Sequence, residues 1–134
     1  MKYIFRCEKL VRDRIPDLMS EPGHTVIVET LDRQAHIFAL KKKLTEEANE
    51  VEAACTRDEI IEEIADIKEV LDALMLKLSI SRHEIDEIKR KKSLRNGGFD
   101  RGLYLKAVEA PMGSSVAERL LKQPSQYLLL ETRE

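Results

Sequence analysis

Two long segments with the apolar period of an α-helix follow one another in this chain, with only a tight turn between them. The first covers about residues 32–55, with Asp32 as its predicted N-cap. Its apolar positions recur at spacings of three, four and seven: Ile37, Leu40, Leu44 and Val51. The second begins with the capping-box sequence Thr-Arg-Asp-Glu at residues 56–59 and runs to about residue 79. Two helices joined so closely are expected to pack as an antiparallel hairpin.

Shorter elements are predicted on both sides of the hairpin. Residues 8–19 indicate a brief helix interrupted near Pro16, and the sequence Thr-Val-Ile-Val-Glu-Thr at residues 25–30 is typical of a strand. A third helix is expected to begin with the capping pattern at residues 81–84 and to end at Asn-Gly-Gly, residues 96–98. The scarcity of aromatic residues, 4% of the chain, also favours helices. We therefore expect an all-α fold, a bundle built on the long antiparallel hairpin plus the third helix.

The length of 134 residues allows one domain with a modest core. We assign residues 1–105 to that domain and residues 106–134 to a C-terminal extension. The extension contains a linker at residues 111–115, a short capped helix at residues 115–122 and an apolar patch at residues 127–130. We expect it to pack on its own domain or on a neighbouring subunit.

Composition excludes several classes of protein. The 23 Lys and Arg nearly cancel the 25 Asp and Glu, so the basic excess of a nucleic-acid-binding domain is absent. No apolar stretch is long enough for a membrane span or a signal peptide, which predicts a cytoplasmic protein without a membrane partner. Cys7 and Cys55 have neither CxxC spacing nor paired histidines, so we expect two reduced thiols rather than a zinc site or a disulfide.

An acidic residue interrupts the apolar stripe of each long helix. On the first helix the stripe requires an apolar residue three positions after Leu44, and Glu47 stands there instead. On the second helix Glu63 takes the corresponding position three residues after Ile60. Burying a carboxylate without a partner costs about several kcal/mol. Two acids that face one helix–helix seam must therefore either bind a proton or share a cation.

Each of these acids has an acidic companion one helical turn further on. Glu50 follows Glu47 and Asp66 follows Glu63, both by three residues. In an antiparallel hairpin the two pairs lie at similar distances from the turn, so we expect that all four carboxylates can converge. Four oxygen donors without His or Cys favour Mg²⁺, with Mn²⁺ as the alternative. The competing interpretation is a solvated acidic face paired with lysines, but it must place Glu47 and Glu63 on the apolar stripes of both helices at once.

A carboxylate site that binds Mg²⁺ suits substrates with anionic oxygens, most commonly di- and triphosphates. Basic residues that bind those oxygens are then expected near the acids, and Lys43 lies one turn before Glu47. Further candidates are grouped near the amino end and at the end of the third helix: Arg12, Arg14, Arg90, Lys91, Lys92 and Arg95. Taken singly, each group also fits a solvated face or a charge that complements a helix dipole.

The acidic motifs resemble those of a known family. Residues 44–51, Leu-Thr-Glu-Glu-Ala-Asn-Glu-Val, followed by Glu-Glu-Ile-Ala-Asp at residues 62–66, resemble the ExxE and ExxD signature of the all-α nucleoside triphosphate pyrophosphohydrolases, the MazG and phosphoribosyl-ATP pyrophosphohydrolase group. Residues 10–16 and 95–99, Leu-Val-Arg-Asp-Arg-Ile-Pro and Arg-Asn-Gly-Gly-Phe, are similar to the ends of a short-chain, phosphoribosyl-ATP pyrophosphohydrolase-like subgroup. The resemblance covers about residues 9–105, and the chain from about residue 106 departs from the pattern.

The resemblance implies an activity and an assembly. It implies hydrolysis of a nucleoside triphosphate between its α and β phosphorus atoms, giving a monophosphate and pyrophosphate, with possible substrates including noncanonical nucleotides. The implied Mg²⁺ ligands are Glu47, Glu50, Glu63 and Asp66. A bound water would attack in line, with Glu46 or Glu47 accepting its proton. Members of the group form homodimers or homotetramers, which would supply the burial that a short chain lacks.

Two other functions compete with this one. One is the phosphoribosyl-ATP hydrolysis of histidine biosynthesis, ranked second because that enzyme does not usually carry the Val-Arg-Asp-Arg-Ile-Pro segment at residues 11–16. The other is a nucleotide-binding or helix-pairing module without turnover, which the presence of all four acids disfavours. Phe38, Phe99 and Tyr104 are candidates for stacking on a base, although the sequence favours a place in the core for each.

Overall fold

The computed structural model describes residues 1–133 and is helical throughout its regular structure. No strand occurs within those residues, which confirms the all-α prediction. The helices are α1 (Ile15–Met19), α2 (Arg33–Ala53), α3 (Arg57–Lys77), α4 (Arg82–Asn96) and α5 (Ser115–Leu121). The bounds of α2 to α5 lie within about two residues of those predicted, because local capping signals mark most of these ends.

The helix caps form as the sequence indicates. Asp32 accepts a hydrogen bond from the Ala35 backbone N–H at 2.8 Å. At the start of α3 the hydroxyl of Thr56 accepts from the Glu59 N–H at 3.2 Å, while the Glu59 carboxylate accepts from the N–H groups of Thr56 and Cys55. These two backbone hydrogen bonds hold the pKa of Glu59 below its usual value. The reciprocal bonds satisfy donors that would otherwise be unpaired at the helix start.

Helices α2 and α3 pack on each other as an antiparallel hairpin, as predicted. Only residues 54–56 join them, so two helices that pack along their lengths must run in opposite directions. At the far end of the hairpin, Arg33 Nη2 donates to the Lys77 carbonyl oxygen at 2.8 Å. Leu40 and Val70, 3% and 8% exposed, are the buried apolar side chains of residues 1–133, so the core of the single chain is small.

The third predicted helix is present as α4. Ser81 and Glu84 form a reciprocal capping box, with the Ser81 N–H 2.7 Å from Glu84 Oε2 and the Glu84 N–H 3.1 Å from Ser81 Oγ. The helix ends before Gly97, whose φ of +80° is accessible to glycine at little cost. Within the described residues α4 packs on neither α2 nor α3, so the packed body of the chain is the α2–α3 hairpin.

Two of the shorter elements differ from prediction. The helix expected over residues 8–19 covers only Ile15–Met19, and Pro16 lies in its first turn rather than interrupting it. Proline suits that position because the first N–H groups of a helix have no intrahelical partner. Residues 25–30 form no strand, because no second extended segment in residues 1–133 pairs with them and a lone strand leaves its backbone groups without partners.

The chain divides into two compact units, Met1–Leu94 and the residues from Arg95 onward. The first unit contains α1, the hairpin and most of α4. In the second unit α5 is capped by Ser114, whose hydroxyl accepts from the Ala117 N–H at 3.1 Å. None of the helices in residues 1–133 combines the length and apolar character needed to cross a bilayer. Cys7 and Cys55 are exposed free thiols.

Candidate metal centre

Three carboxylates meet on the facing sides of the hairpin. Glu47 of α2 lies beside Glu63 and Asp66 of α3, and one oxygen of each residue lies within 4.8 Å of the other two. The three-residue spacing of Glu63 and Asp66 places both on one face of α3, and the short connection sets that face opposite Glu47. The interrupted apolar stripes therefore predicted a real convergence of acidic groups.

Glu47 is buried, with 7% of its surface exposed, and is paired with a lysine on its own helix. Lys43 Nζ lies 3.0 Å from Glu47 Oε1 and 3.0 Å from Glu46 Oε1. Burial lowers the pKa of Lys43, but the hydrogen bonds to Glu47 and Glu46 outweigh it and the net shift of that pKa is upward. Lys43 therefore remains an ammonium group between these two carboxylates.

Asp66 is paired with an arginine from a distant segment. Arg12, which precedes α1, places Nη2 at 2.5 Å from Asp66 Oδ1, across 54 positions of sequence. The hydrogen bond to Asp66 is the largest cause of an upward shift in the pKa of Arg12, with attraction to Glu69 and Glu47 adding to it. Both members of the pair are partly exposed, with side-chain accessibilities of 56% and 38%.

Glu63 carries the uncompensated charge of the three. Within residues 1–133 no lysine or arginine forms an ion pair with it. Loss of hydration raises its pKa, and repulsion by Asp66, Glu50 and Glu47 raises that pKa further. A carboxylate in this position is stabilised either by a proton or by an added cation.

Glu50, the fourth predicted ligand, lies beside the group of three rather than within it. Its side chain is exposed, and with Glu63 it lines an open hollow of about 150 Å³, completed by Ala53, Ala54 and Glu59. It is close enough for its charge to raise the pKa of Glu63. The structure thus brings three predicted ligands together and leaves Glu50 at the edge, one turn nearer the end of α2.

Glu46 lies outside the group of three carboxylates. Its Oε1 is 3.0 Å from Lys43 Nζ and 3.8 Å from Lys9 Nζ. Of the two candidate proton acceptors, Glu47 therefore belongs to the three carboxylates, and Glu46 is held beside them by lysines. Lys9 was not expected near this site, and no signal in the sequence connects it to α2.

The predicted basic residues divide into those near the acids and those elsewhere. Lys43 and Arg12 contact the carboxylates, whereas Arg14, at the start of α1, forms no ion pair within residues 1–133. On α4, Lys91 Nζ and Arg90 Nη2 lie 3.8 and 2.9 Å from Glu87 Oε1, and Lys92 is exposed. Because α4 packs on neither hairpin helix, no helix packing within residues 1–133 brings Lys91 and Lys92 to the acids. Arg95 begins the second unit and is exposed.

The three aromatic candidates are exposed rather than buried. Phe38, Phe99 and Tyr104 are 63%, 99% and 89% exposed, so the expectation that they belong to the core is wrong. The core of the chain is the narrow seam of the hairpin, which leaves little apolar interior for large rings. Lys42 Nζ lies 5.3 Å from the ring centre of Phe38, a cation–π contact at the surface.

Comparison with known proteins gives one relative and no family. No family model and no solved structure matches the chain. An uncharacterized protein of Mycolicibacterium smegmatis is 46% identical over 54 residues, which cover 40% of this chain and 55% of the relative. The match thus spans about half of that relative's length.

Proposed function

We propose that this chain is a Mg²⁺-dependent nucleoside triphosphate pyrophosphohydrolase that converts a ribo- or deoxyribonucleoside triphosphate to its monophosphate and pyrophosphate. The observation that carries the proposal is the convergence of Glu47, Glu63 and Asp66, with one oxygen of each within 4.8 Å of the others. Carboxylates so close repel one another, and two of them face the seam of a helical hairpin. Such an arrangement is stabilised when a cation is shared.

The donor set fits a hard divalent cation. All three groups offer carboxylate oxygen, and neither His nor Cys belongs to the group, which favours Mg²⁺ or Mn²⁺ over zinc. Glu47, Glu63 and Asp66 would hold the ion, with the neighbouring Glu50 as a fourth ligand. When bound, Mg²⁺ supplies positive charge that neutralises the phosphate oxygens during cleavage.

The chain's own basic groups bind the substrate in this proposal. Lys43 presents an ammonium group between Glu46 and Glu47, and Arg12 presents a planar guanidinium group beside Asp66. Guanidinium groups pair well with two phosphate oxygens at once. Their contacts with the carboxylates support the proposal that both residues bind the anionic oxygens of a triphosphate held there.

We assign the proton acceptor to Glu46. Glu47 belongs to the three carboxylates that would bind the ion, whereas Glu46 lies one residue away and outside that group. A carboxylate that is not a ligand keeps a lone pair free to take a proton from an attacking water. Replacing Glu46 with Gln is expected to lower kcat while leaving Mn²⁺ affinity close to that of the wild type.

Pyrophosphate release from a panel of ribo- and deoxyribonucleoside triphosphates, with and without Mg²⁺, tests the activity. Glu63→Gln is expected to lower turnover by about 100-fold, because several kcal/mol of charge stabilisation depend on the bound ion. Glu62→Gln, a neighbouring exposed residue outside the group, is the matched control and should retain activity. Absence of turnover on every nucleotide, or equal rates for Glu63→Gln and wild type, would contradict the proposal.

Adding phosphoribosyl-ATP to the substrates, and measuring nucleotide binding by calorimetry, separates the competing functions. Turnover of phosphoribosyl-ATP alone would identify the histidine-pathway activity. Calorimetric binding of a nucleotide without hydrolysis would identify a non-catalytic module.

We further propose that the protein is cytoplasmic and acts as a homodimer or homotetramer. The support for assembly is a row of partly exposed apolar side chains along α3 and its C-cap, called the outer row below: Ile61, Ile64, Leu71 and Leu78. Within residues 1–133, α2 is the helix that packs on α3.

A further inference from the structure

The segment that precedes and includes α1 brings basic side chains to the acids of the hairpin. Arg12 contacts Asp66 at 2.5 Å, and Lys9 lies 3.8 Å from Glu46. Leu10, Val11 and Ile15, on the same segment, are partly buried. We call residues 9–19 the basic strap, because its Lys9 and Arg12 side chains pair with acids of α2 and α3.

The two basic residues that touch the three carboxylates are held in different ways. Lys43 lies one turn from Glu47 on the same helix, is 18% exposed and bonds two carboxylates, so it stays beside Glu47 whether or not the strap is in place. Arg12 belongs to the strap and makes one partly exposed contact. Exposed ion pairs are weak and exchange easily. Of the two, Arg12 is therefore the basic group that can move away from the carboxylates.

Arg12 and a metal ion require the same oxygen. Asp66 Oδ1 accepts the hydrogen bond from Arg12, and a carboxylate oxygen that a guanidinium group occupies is less available to coordinate a cation. Both charges also act on Glu47, which attracts Arg12 electrostatically. Binding of a dication at Glu47, Glu63 and Asp66 therefore competes with the Arg12 contact.

We propose that Arg12 is the resident counter-cation of Asp66 in the metal-free protein and leaves Asp66 when a divalent cation binds. Metal binding then loosens the basic strap and frees a guanidinium group for a phosphate of the substrate. Arg12 is a positioning residue in this scheme until the exchange, and a phosphate ligand after it. The inference rests on the proposed function, since it requires that the three carboxylates bind a metal ion.

Mn²⁺ titration of the full chain, followed by electron paramagnetic resonance and calorimetry, tests the competition. Arg12→Gln is expected to bind Mn²⁺ about fivefold more tightly than wild type, because a unit charge about 4 Å from the ion is removed. Arg14→Gln removes the same charge two positions away, at a residue without an ion pair in residues 1–133, and should change the affinity less than twofold. Circular dichroism of each variant establishes that the helices are retained.

The results distinguish the exchange from the metal site itself. If Arg12→Gln binds Mn²⁺ with wild-type affinity or more weakly, the exchange is wrong and the metal site stands. If neither wild type nor Arg12→Gln binds Mn²⁺, the proposed metal site is wrong, and the proposed release of Arg12 is wrong as well. A gain in affinity that Arg14→Gln shows equally reflects net charge alone and also overturns the exchange.

Hydrogen exchange of the unmodified protein gives a second test that needs no variant. The N–H groups of Ile15 and Leu18 donate to the carbonyl oxygens of Arg12 and Arg14, both at 3.0 Å. A peptide that covers residues 13–19 is expected to exchange faster when Mn²⁺ saturates the protein, because the strap loses its Arg12 contact. In Arg12→Gln the amide hydrogens of the same peptide should exchange equally fast with and without Mn²⁺. If the amide hydrogens of this peptide exchange at the same rate or more slowly in Mn²⁺-saturated wild type, Arg12 does not leave Asp66 and the proposal is wrong.

Discussion

At the scale of single residues, Glu63 shows how a site for a cation differs from a charged surface. Glu47 and Asp66 each have a basic partner, Lys43 and Arg12, whereas Glu63 has none within residues 1–133. Its pKa is raised by loss of hydration and then by the neighbouring carboxylates. A raised carboxyl pKa means that the native state binds protons more tightly than the unfolded chain, so stability falls as the pH rises above 4.5, the ordinary value for this group.

Glu63→Gln is therefore expected to increase the free energy of unfolding of the metal-free protein near neutral pH, because the substitution removes the unpaired charge. The increase should vanish as the pH falls below 4.5, where Glu63 becomes neutral in both states. Mg²⁺ should stabilise wild type and not the variant, since only the wild type retains all three ligands. Urea unfolding in EDTA and in Mg²⁺, over a series of pH values, measures both effects. Glu62→Gln is the control, and a Glu63→Gln protein less stable than wild type in EDTA would contradict the argument.

At the scale of elements, the ends of the helices are set by local hydrogen bonds. Helix α3 begins with the Thr56–Glu59 capping box and ends in a Schellman arrangement. At that end the Ile80 N–H donates to the Met75 carbonyl oxygen at 2.9 Å and the Ser79 N–H to the Leu76 oxygen at 3.2 Å. Ser79 takes φ of +54°, a left-handed conformation that costs a residue with a Cβ atom about 1 kcal/mol. The two hydrogen bonds therefore end α3 at this point, although serine is unfavourable in the left-handed conformation that Ser79 takes.

Ser79→Gly is expected to raise the free energy of unfolding by about 0.5–1 kcal/mol, because glycine adopts this conformation without the Cβ penalty. Ser93→Gly, inside α4, is the contrasting control and should lower it by about 0.5 kcal/mol through loss of helix propensity. Thermal and urea unfolding of the three proteins give the comparison. Destabilisation by Ser79→Gly would show that the serine side chain contributes more than the backbone conformation costs.

At the scale of the whole molecule, the α2–α3 hairpin offers more apolar surface than one chain covers. The row of α3 that faces α2 includes Val70, and the outer row lies one position further on, about 100° around the helix. Side chains of the outer row are 38–48% exposed. A helix with two apolar faces packs against two neighbours, and α3 has one within the described chain. Two hairpins that join along their outer rows would form a four-helix bundle.

Ile64→Lys is therefore expected to reduce a homo-oligomer to monomers, because a buried lysine at the centre of the outer row would lose its hydration. Leu76→Lys, on α3 but away from that row and 82% exposed, should leave the assembly intact. Sedimentation velocity over a range of protein concentrations measures the oligomeric state. A wild-type protein that remains monomeric at all concentrations would overturn the proposed assembly.

The sequence by itself determined the helices, their caps and the hairpin, because these depend on residues close together in the chain. Periodicity and the capping box at residues 56–59 placed α2 and α3, and a connection of three residues left only one way for them to pack. It followed that Glu47 and Glu63 would face each other. The apolar period alone places those two acids on the apolar stripes of the helices.

Lys43, one turn before Glu47, was visible in the sequence, whereas the tertiary structure alone decided which groups from remote segments reach those acids. The Arg12–Asp66 pair joins residues 54 positions apart, and the Lys9–Glu46 pair is similarly remote. The apolar period of the sequence also does not indicate that α4 lies apart from the hairpin or that Glu50 is exposed. Contacts of this kind form only when the fold as a whole brings two segments together, since the free energy that positions them is summed over many weak interactions elsewhere in the chain.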